Sequence, residues 1–117
     1  MLVWVLLMVS CALLLGCAAE RSGDAGGPPF GPDALLVDVR TLEEYESGHI
    51  EGAKLIPYEE IGARIGELTE DRSREIALYC RSGRRSGVAQ QTLAKMGFKN
   101  AINVGGYEEL RARLAGR

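Results

Sequence analysis

Charge is missing from the first 19 residues, because no Asp, Glu, Lys or Arg precedes Glu20. The run from Met1 to Leu15 is nearly all apolar and has no polar stripe to turn toward water, so it is not an amphipathic element of a folded core. An excess of charge of one sign is lacking as well. The chain carries 14 basic and 16 acidic side chains, a formal net charge of −2, so its overall field does not draw in nucleic acid or any other anion. No internal repeat occurs, and the stretch from Ala34 to Arg117 is too short for a second core. Histidine is reduced to His49, and cysteine to Cys11, Cys17 and Cys80.

The apolar run ends in Leu14, Leu15, Gly16 and Cys17. This resembles a bacterial lipoprotein signal, which implies cleavage before Cys17, lipidation of that cysteine and a membrane anchor in the cell envelope, with the domain facing the periplasm. Such signals normally begin with Lys or Arg, whereas Met1 to Val9 offers only the terminal amine. A stretch of 19 uncharged residues also approaches the roughly 20 that cross a bilayer, so a retained transmembrane anchor is the competing reading. Either way the folded part lies outside the cytoplasm. With Cys11 removed and Cys17 acylated, Cys80 is the only thiol of the mature chain and no intramolecular disulfide can form. An unpaired cysteine in an oxidising compartment points to use more than to packing.

Arg21 to Asp33 holds Gly23, Gly26, Gly27, Pro28, Pro29, Gly31 and Pro32, which disfavours helix and strand alike and reads as a tether. The division is therefore a signal over 1–16, a lipidated cysteine and tether over 17–33, and a domain over 34–117. Within the domain, short apolar runs alternate with helical patterns. Ala34 to Val39 is apolar apart from Asp38, as in a strand covered on both faces. Thr41 and Glu44 have capping-box spacing for a short helix that Gly48 ends. Lys54 to Ile56 is a second strand, stopped by Pro57. Ile61, Ile65 and Leu68 recur at i, i+4 and i+7 and predict a second helix. Glu75 to Tyr79 is a third strand, Arg85 to Met96 a helix closed by Gly97, and Ala101 to Val104 a fourth strand. Gly105 and Gly106 then make a sharp exit into a last helix over Tyr107 to Leu114. Strict alternation predicts an α/β fold, a small parallel sheet with helices on both faces.

In such sheets ligands sit beyond the carboxyl ends of the strands, where Cys80 falls. Cys80, Arg81, Ser82, Gly83, Arg84 and Arg85 follow the third strand and open a helix. A thiol there feels unsatisfied N–H groups and nearby guanidinium charge, both of which favour the thiolate. The competing reading is a small buried hydrophobe at a strand end, which the Arg- and Gly-rich company disfavours. Ser86 reads as a helix cap. Asp38 and Arg40 read as structural, with Arg40 within reach of Glu44 across the capped turn.

The ordered set Asp38, Val39, Arg40, Glu44 and Tyr45, then Gly48, His49, Ile50, Gly52, Ala53, Ile56 and Pro57, then the loop from Cys80, then Gly105 and Gly106, resembles a single-domain rhodanese of the short periplasmic type. The resemblance implies a sulfurtransferase. Cys80 takes a sulfane sulfur from thiosulfate or a similar anionic donor, holds it as a persulfide and passes it to a thiophilic acceptor such as cyanide or a thiol. It implies substrate binding by Arg81, Ser82, Gly83, Arg84 and Arg85, with Arg85 and Arg84 ahead of Arg81. It implies no metal or organic cofactor, and no general base in His49, since a preformed thiolate needs none. Longer family members begin with a further strand and helix, so an open sheet edge, and with it a partner strand or dimer, is expected. Many members carry a tryptophan where this chain has Leu110.

Two other functions share these features. Cysteine phosphatases of related fold place five residues between cysteine and arginine, while Cys80 and Arg85 have four between them; the shorter loop suits a sulfur atom better than a phosphoryl group. A lipid-anchored persulfide carrier without rapid turnover is the other reading.

Overall fold

The computed structural model describes residues 27–116. The signal, Cys11, Cys17 and most of the tether lie outside them. Strands β1 (Leu35–Asp38), β2 (Lys54–Leu55), β3 (Ile76–Cys80) and β4 (Ala101–Gly106) form one parallel sheet in the order β2-β1-β3-β4. Helices α1 (Leu42–Ser47), α2 (Ile61–Arg64), α3 (Arg84–Lys95) and α4 (Tyr107–Ala115) connect or follow them.

Each strand sends alternate side chains to opposite faces, and both faces are covered. Val37, Val39, Ile76, Leu78 and Cys80 meet Ile61, Ile65, Ala89 and Leu93 of α2 and α3 in one cluster. Leu36, Ala77 and Tyr79 meet Ile50, Ala53 and Leu110 in the other, with Tyr107 and Leu114 of α4 beside them. Leu110 is buried to 1 % exposure and fills the second cluster.

Several boundaries differ from the sequence reading. The i, i+4, i+7 stripe does not make one regular helix. A four-residue α2 is flanked by 3-10 turns at Tyr58–Glu60 and Ile65–Glu67. Gly62 and Gly66 weaken the segment's helix propensity, and a side chain at Gly62 would press on Thr92 of α3. Ile61 and Ile65 are still buried and Leu68 packs against the same core. β4 extends two residues past Val104 to Gly106, which pairs with Cys80 after an irregularity in the ladder, and α4 then starts at once at Tyr107. The C-terminal part of the Gly/Pro segment rests on the domain, with Phe30 against the second cluster and the Gly31 N–H donating to the Glu75 carboxylate at 3.2 Å. Among the described residues β2 and β4 each pair with a strand on one side only.

Candidate active site

Cys80 ends β3 at the carboxyl edge of the sheet, and the chain turns under its sulfur into α3. The turn depends on two glycines. Gly83, which precedes α3, has φ +98°, a left-handed conformation that other residues adopt only with strain. Gly106 brings β4 so close to the loop that a Cβ there would collide with the Arg81 carbonyl.

The loop aims donors at sulfur. The Gly83 N–H donates to Cys80 Sγ at 2.9 Å, and the Ser86 hydroxyl lies 3.5 Å from the same atom. Burial pushes the thiol up, but hydrogen bonds from the Ser86 hydroxyl and from the backbone N–H groups of Ser86, Ser82 and Gly83 outweigh it, so the Cys80 pKa is lowered from its ordinary value. These hydrogen bonds are the main cause of the lowering, and the Arg85 charge, which interacts with Cys80, acts in the same direction. Arg85 is committed elsewhere, with its two terminal nitrogens 2.9 and 3.0 Å from the Glu44 carboxylate oxygens. That fork pairs charges 41 residues apart in the chain and holds the Glu44 carboxyl down to about 2. Cys80 itself is fully covered, with 0 % exposure.

Ser86 does not cap α3. No side chain caps that helix at Gly83; the Ser86 hydroxyl is buried and donates to Asn103 Oδ1 at 2.7 Å. Arg81 and Arg84 are exposed on the outer side of the loop, as is Ser82. Arg81, with Arg40, Glu44, Ser47, Tyr107 and Glu108, lines a cavity of about 380 Å³ between the loop, α1 and the start of α4.

Arg40 does not reach Glu44 as its ion-pair partner. It turns back on Asp38, donating Nε at 3.0 Å and Nη2 at 2.7 Å to the carboxylate, and it caps the Gly48 carbonyl at 2.7 Å. Asp38 is the nearer acid inside the core, and a buried carboxylate left unpaired costs more than an exposed one. His49 stacks on Tyr45 at 3.6 Å between ring centroids, with Nδ1 2.8 Å from the Tyr45 carbonyl. Among the described residues no group of three or more His, Cys, Asp or Glu is placed to hold a metal.

Sequence reasoning missed Asn103 altogether. Its signal was a lone amide between Ile102 and Val104 in an otherwise apolar strand. Its Nδ2 donates to the Gly83 carbonyl at 2.9 Å, and its Oδ1 accepts from Gly105 N–H at 3.0 Å as well as from Ser86.

A covered parallel sheet with a hydrogen-bonded thiol at its carboxyl edge defines a small α/β domain with a candidate thiol site. The chain belongs to the rhodanese-like domain family, which matches residues 27–113. It is 36% identical over 74 residues to thiosulfate sulfurtransferase PspE of Escherichia coli (strain K12), covering 63% of this chain and 71% of that one. It is 49% identical over 69 residues to YrkF of Bacillus subtilis (strain 168), named as a candidate sulfur carrier, covering 59% of this chain and 36% of that one. Among solved structures, a rhodanese with anions from E. coli superposes with a TM-score of 0.63 at 36% identity, over 65% of this chain and 89% of that one.

Proposed function

We propose that this protein is a sulfurtransferase whose nucleophile is Cys80. The Cys80 thiolate attacks the outer sulfur of thiosulfate or a similar donor. A new S–S bond forms, the donor's S–S bond breaks, and sulfite leaves with the electron pair. The persulfide then meets a thiophile such as cyanide or a thiol, which attacks the terminal sulfur and returns Cys80 as thiolate. The observation that carries this reading is the convergence of neutral donors on one sulfur, with Gly83 N–H at 2.9 Å, at the ligand-binding edge of a parallel sheet. The similarity to a thiosulfate sulfurtransferase supports it.

Arg81 and Arg84, exposed on the loop, are the cations free to meet the dianionic donor and the departing sulfite. Arg85 acts through its bond to Glu44, which ties the first turn of α3 to α1. Ser82 and Gly83 supply N–H groups to the sulfur. The covered sulfur requires the loop to open for the donor. The domain acts at the cell envelope, facing the periplasm, through a lipid on Cys17 or a retained N-terminal span; both lie outside the described residues.

The relationship to YrkF favours a second reading, a persulfide carrier with little turnover. One experiment addresses both. Intact-mass measurement before and after thiosulfate is expected to show one added sulfur on wild-type protein, removed by reductant and absent from Cys80→Ser. Thiocyanate formation from cyanide then separates enzyme from carrier. Sulfur gained by Cys80→Ser would sink the assignment.

A further inference from the structure

Ser86 has one hydroxyl proton and two acceptors for it. Its Oγ lies 2.7 Å from Asn103 Oδ1 and 3.5 Å from Cys80 Sγ. A serine hydroxyl donates once, so the shorter contact holds the proton in this conformation. The orientation of the Asn103 amide is not ambiguous. Gly105 N–H can only donate and the Gly83 carbonyl can only accept, which assigns Oδ1 to Gly105 and Nδ2 to Gly83. When Ser86 turns away, Asn103 Oδ1 keeps the Gly105 N–H and is not left bare.

We propose that Asn103 is a positioning residue that sets the ionisation of Cys80 by competing with its sulfur for the Ser86 proton. This rests on Cys80 being the nucleophile. With Cys80 as a thiol, the Ser86 hydroxyl donates to Asn103. When the thiol proton leaves to solvent, the hydroxyl rotates to the negatively charged sulfur. When a sulfane sulfur is added, the charge moves to the outer sulfur, Sγ becomes a neutral bridging atom, and the hydroxyl returns to Asn103. No proton crosses from Ser86 at any stage; only its direction changes. A hydrogen bond is therefore available to the thiolate without leaving a buried hydroxyl unpaired in the other states, where an orphaned polar group is costly.

The other charged or titratable groups around the sulfur are Arg85 on α3, held by Glu44 of α1; Tyr58 in the turn after β2, which with Cys80 and Glu44 acts on Arg85; and Arg81 and Arg84 of the loop. None of them touches the Ser86–Asn103 contact in the hydrogen-bond pattern described above.

The test is the pH dependence of iodoacetamide labelling of the full chain, with the Cys80 peptide quantified by mass spectrometry so that Cys11 and Cys17 do not contribute. Four proteins form a cycle: wild type, Asn103→Ala, Ser86→Ala and the double variant. Ser86→Ala is expected to raise the apparent Cys80 pKa by about one unit, tenfold in thiolate at a fixed pH below it. In the presence of Ser86, Asn103→Ala frees the hydroxyl for the sulfur and so lowers the Cys80 pKa relative to the shift it causes in the Ser86→Ala background. A loop merely loosened by the loss of Asn103 shifts the pKa by the same amount with and without Ser86, and that result overturns the proposal. Asn103→Asp gives the second arm if Asn103→Ala does not fold. Its carboxylate holds the Ser86 proton more firmly, so its upward shift is larger with Ser86 than without; equal shifts overturn the proposal. Labelling is independent of sulfur transfer. A coupled cycle in a protein that takes no sulfur from thiosulfate removes the functional reading alone, and an uncoupled cycle in an active sulfurtransferase removes this one alone.

Discussion

The carboxyl ends of β1 and β3 lie side by side, Asp38 in register with Tyr79 and Cys80 one residue beyond, and they bury polar groups in opposite ways. Asp38 is met by a full counter-charge: Arg40 gives its backbone N–H at 2.9 Å and its guanidinium nitrogens at 2.7 to 3.1 Å. Arg40 in turn lies 4.5 Å over the Tyr107 ring and holds the Gly48 carbonyl, so both partners are consumed. Cys80 is held by hydrogen bonds from N–H groups and one hydroxyl, while the nearby Arg85 charge is shared with Glu44. The Asp38 carboxylate is locked in a fork with its counter-charge, whereas the Cys80 sulfur is held by its own loop and the first turn of α3. The first arrangement braces the fold, and the second favours the thiolate.

The sharpest way to break that contrast is to strand the Asp38 carboxylate. Arg40→Leu is expected to cost about 3–5 kcal/mol by urea unfolding, because the acid stays buried without its counter-charge. Replacing Asp38 and Arg40 together by leucine is expected to cost less than Arg40→Leu alone; a double variant that is the worse of the two would show the pair to be net stabilising beyond its own desolvation.

A smaller effect is expected at the Glu44–Arg85 fork, which links the two regions. The hydrogen bond from Arg85 holds Glu44 at about 2, below its ordinary value of 4.5. A depressed acid contributes stability that is complete above the unfolded value and is lost as pH falls through the folded one. Glu44→Gln is therefore expected to lose on the order of 2 kcal/mol at neutral pH, allowing for partial exposure of the pair. The gap from wild type should close between pH 4.5 and about 2 in thermal melts. A gap that stays constant across that range would remove the charge argument.

The smallest effect is expected at His49, an exposed side chain that stacks on Tyr45 and bonds the Tyr45 carbonyl. His49→Gln should change stability by no more than about 0.5 kcal/mol and leave sulfur loading at the wild-type level. Lost loading in a folded His49→Gln protein would return the histidine to the chemistry.

What could be read without the structure was short-range. Thr41 and Glu44 form both halves of the expected capping box, with Glu44 N–H donating to Thr41 Oγ at 3.1 Å and Thr41 N–H to the Glu44 carboxylate at 3.0 Å. Parallel alternation of strands and helices followed from hydrophobic period alone. The helix over Ile61 to Leu68 was misjudged because periodicity reports which side is buried, not whether glycines let the turn stay regular.

By itself, then, the sequence determined the layered sheet, the position of Cys80 at its carboxyl edge and the Thr41–Glu44 capping box, because each depends on residues a few positions apart. Only the tertiary structure decided the partners: Arg40 with Asp38 instead of Glu44, Arg85 with Glu44 across 41 residues, and Ser86 with Asn103 across 17. Several acids and donors lie within reach of each group along the chain, and which contact forms is settled by burial, where an unmatched charge or hydroxyl is costly and water is not there to replace the missing bond.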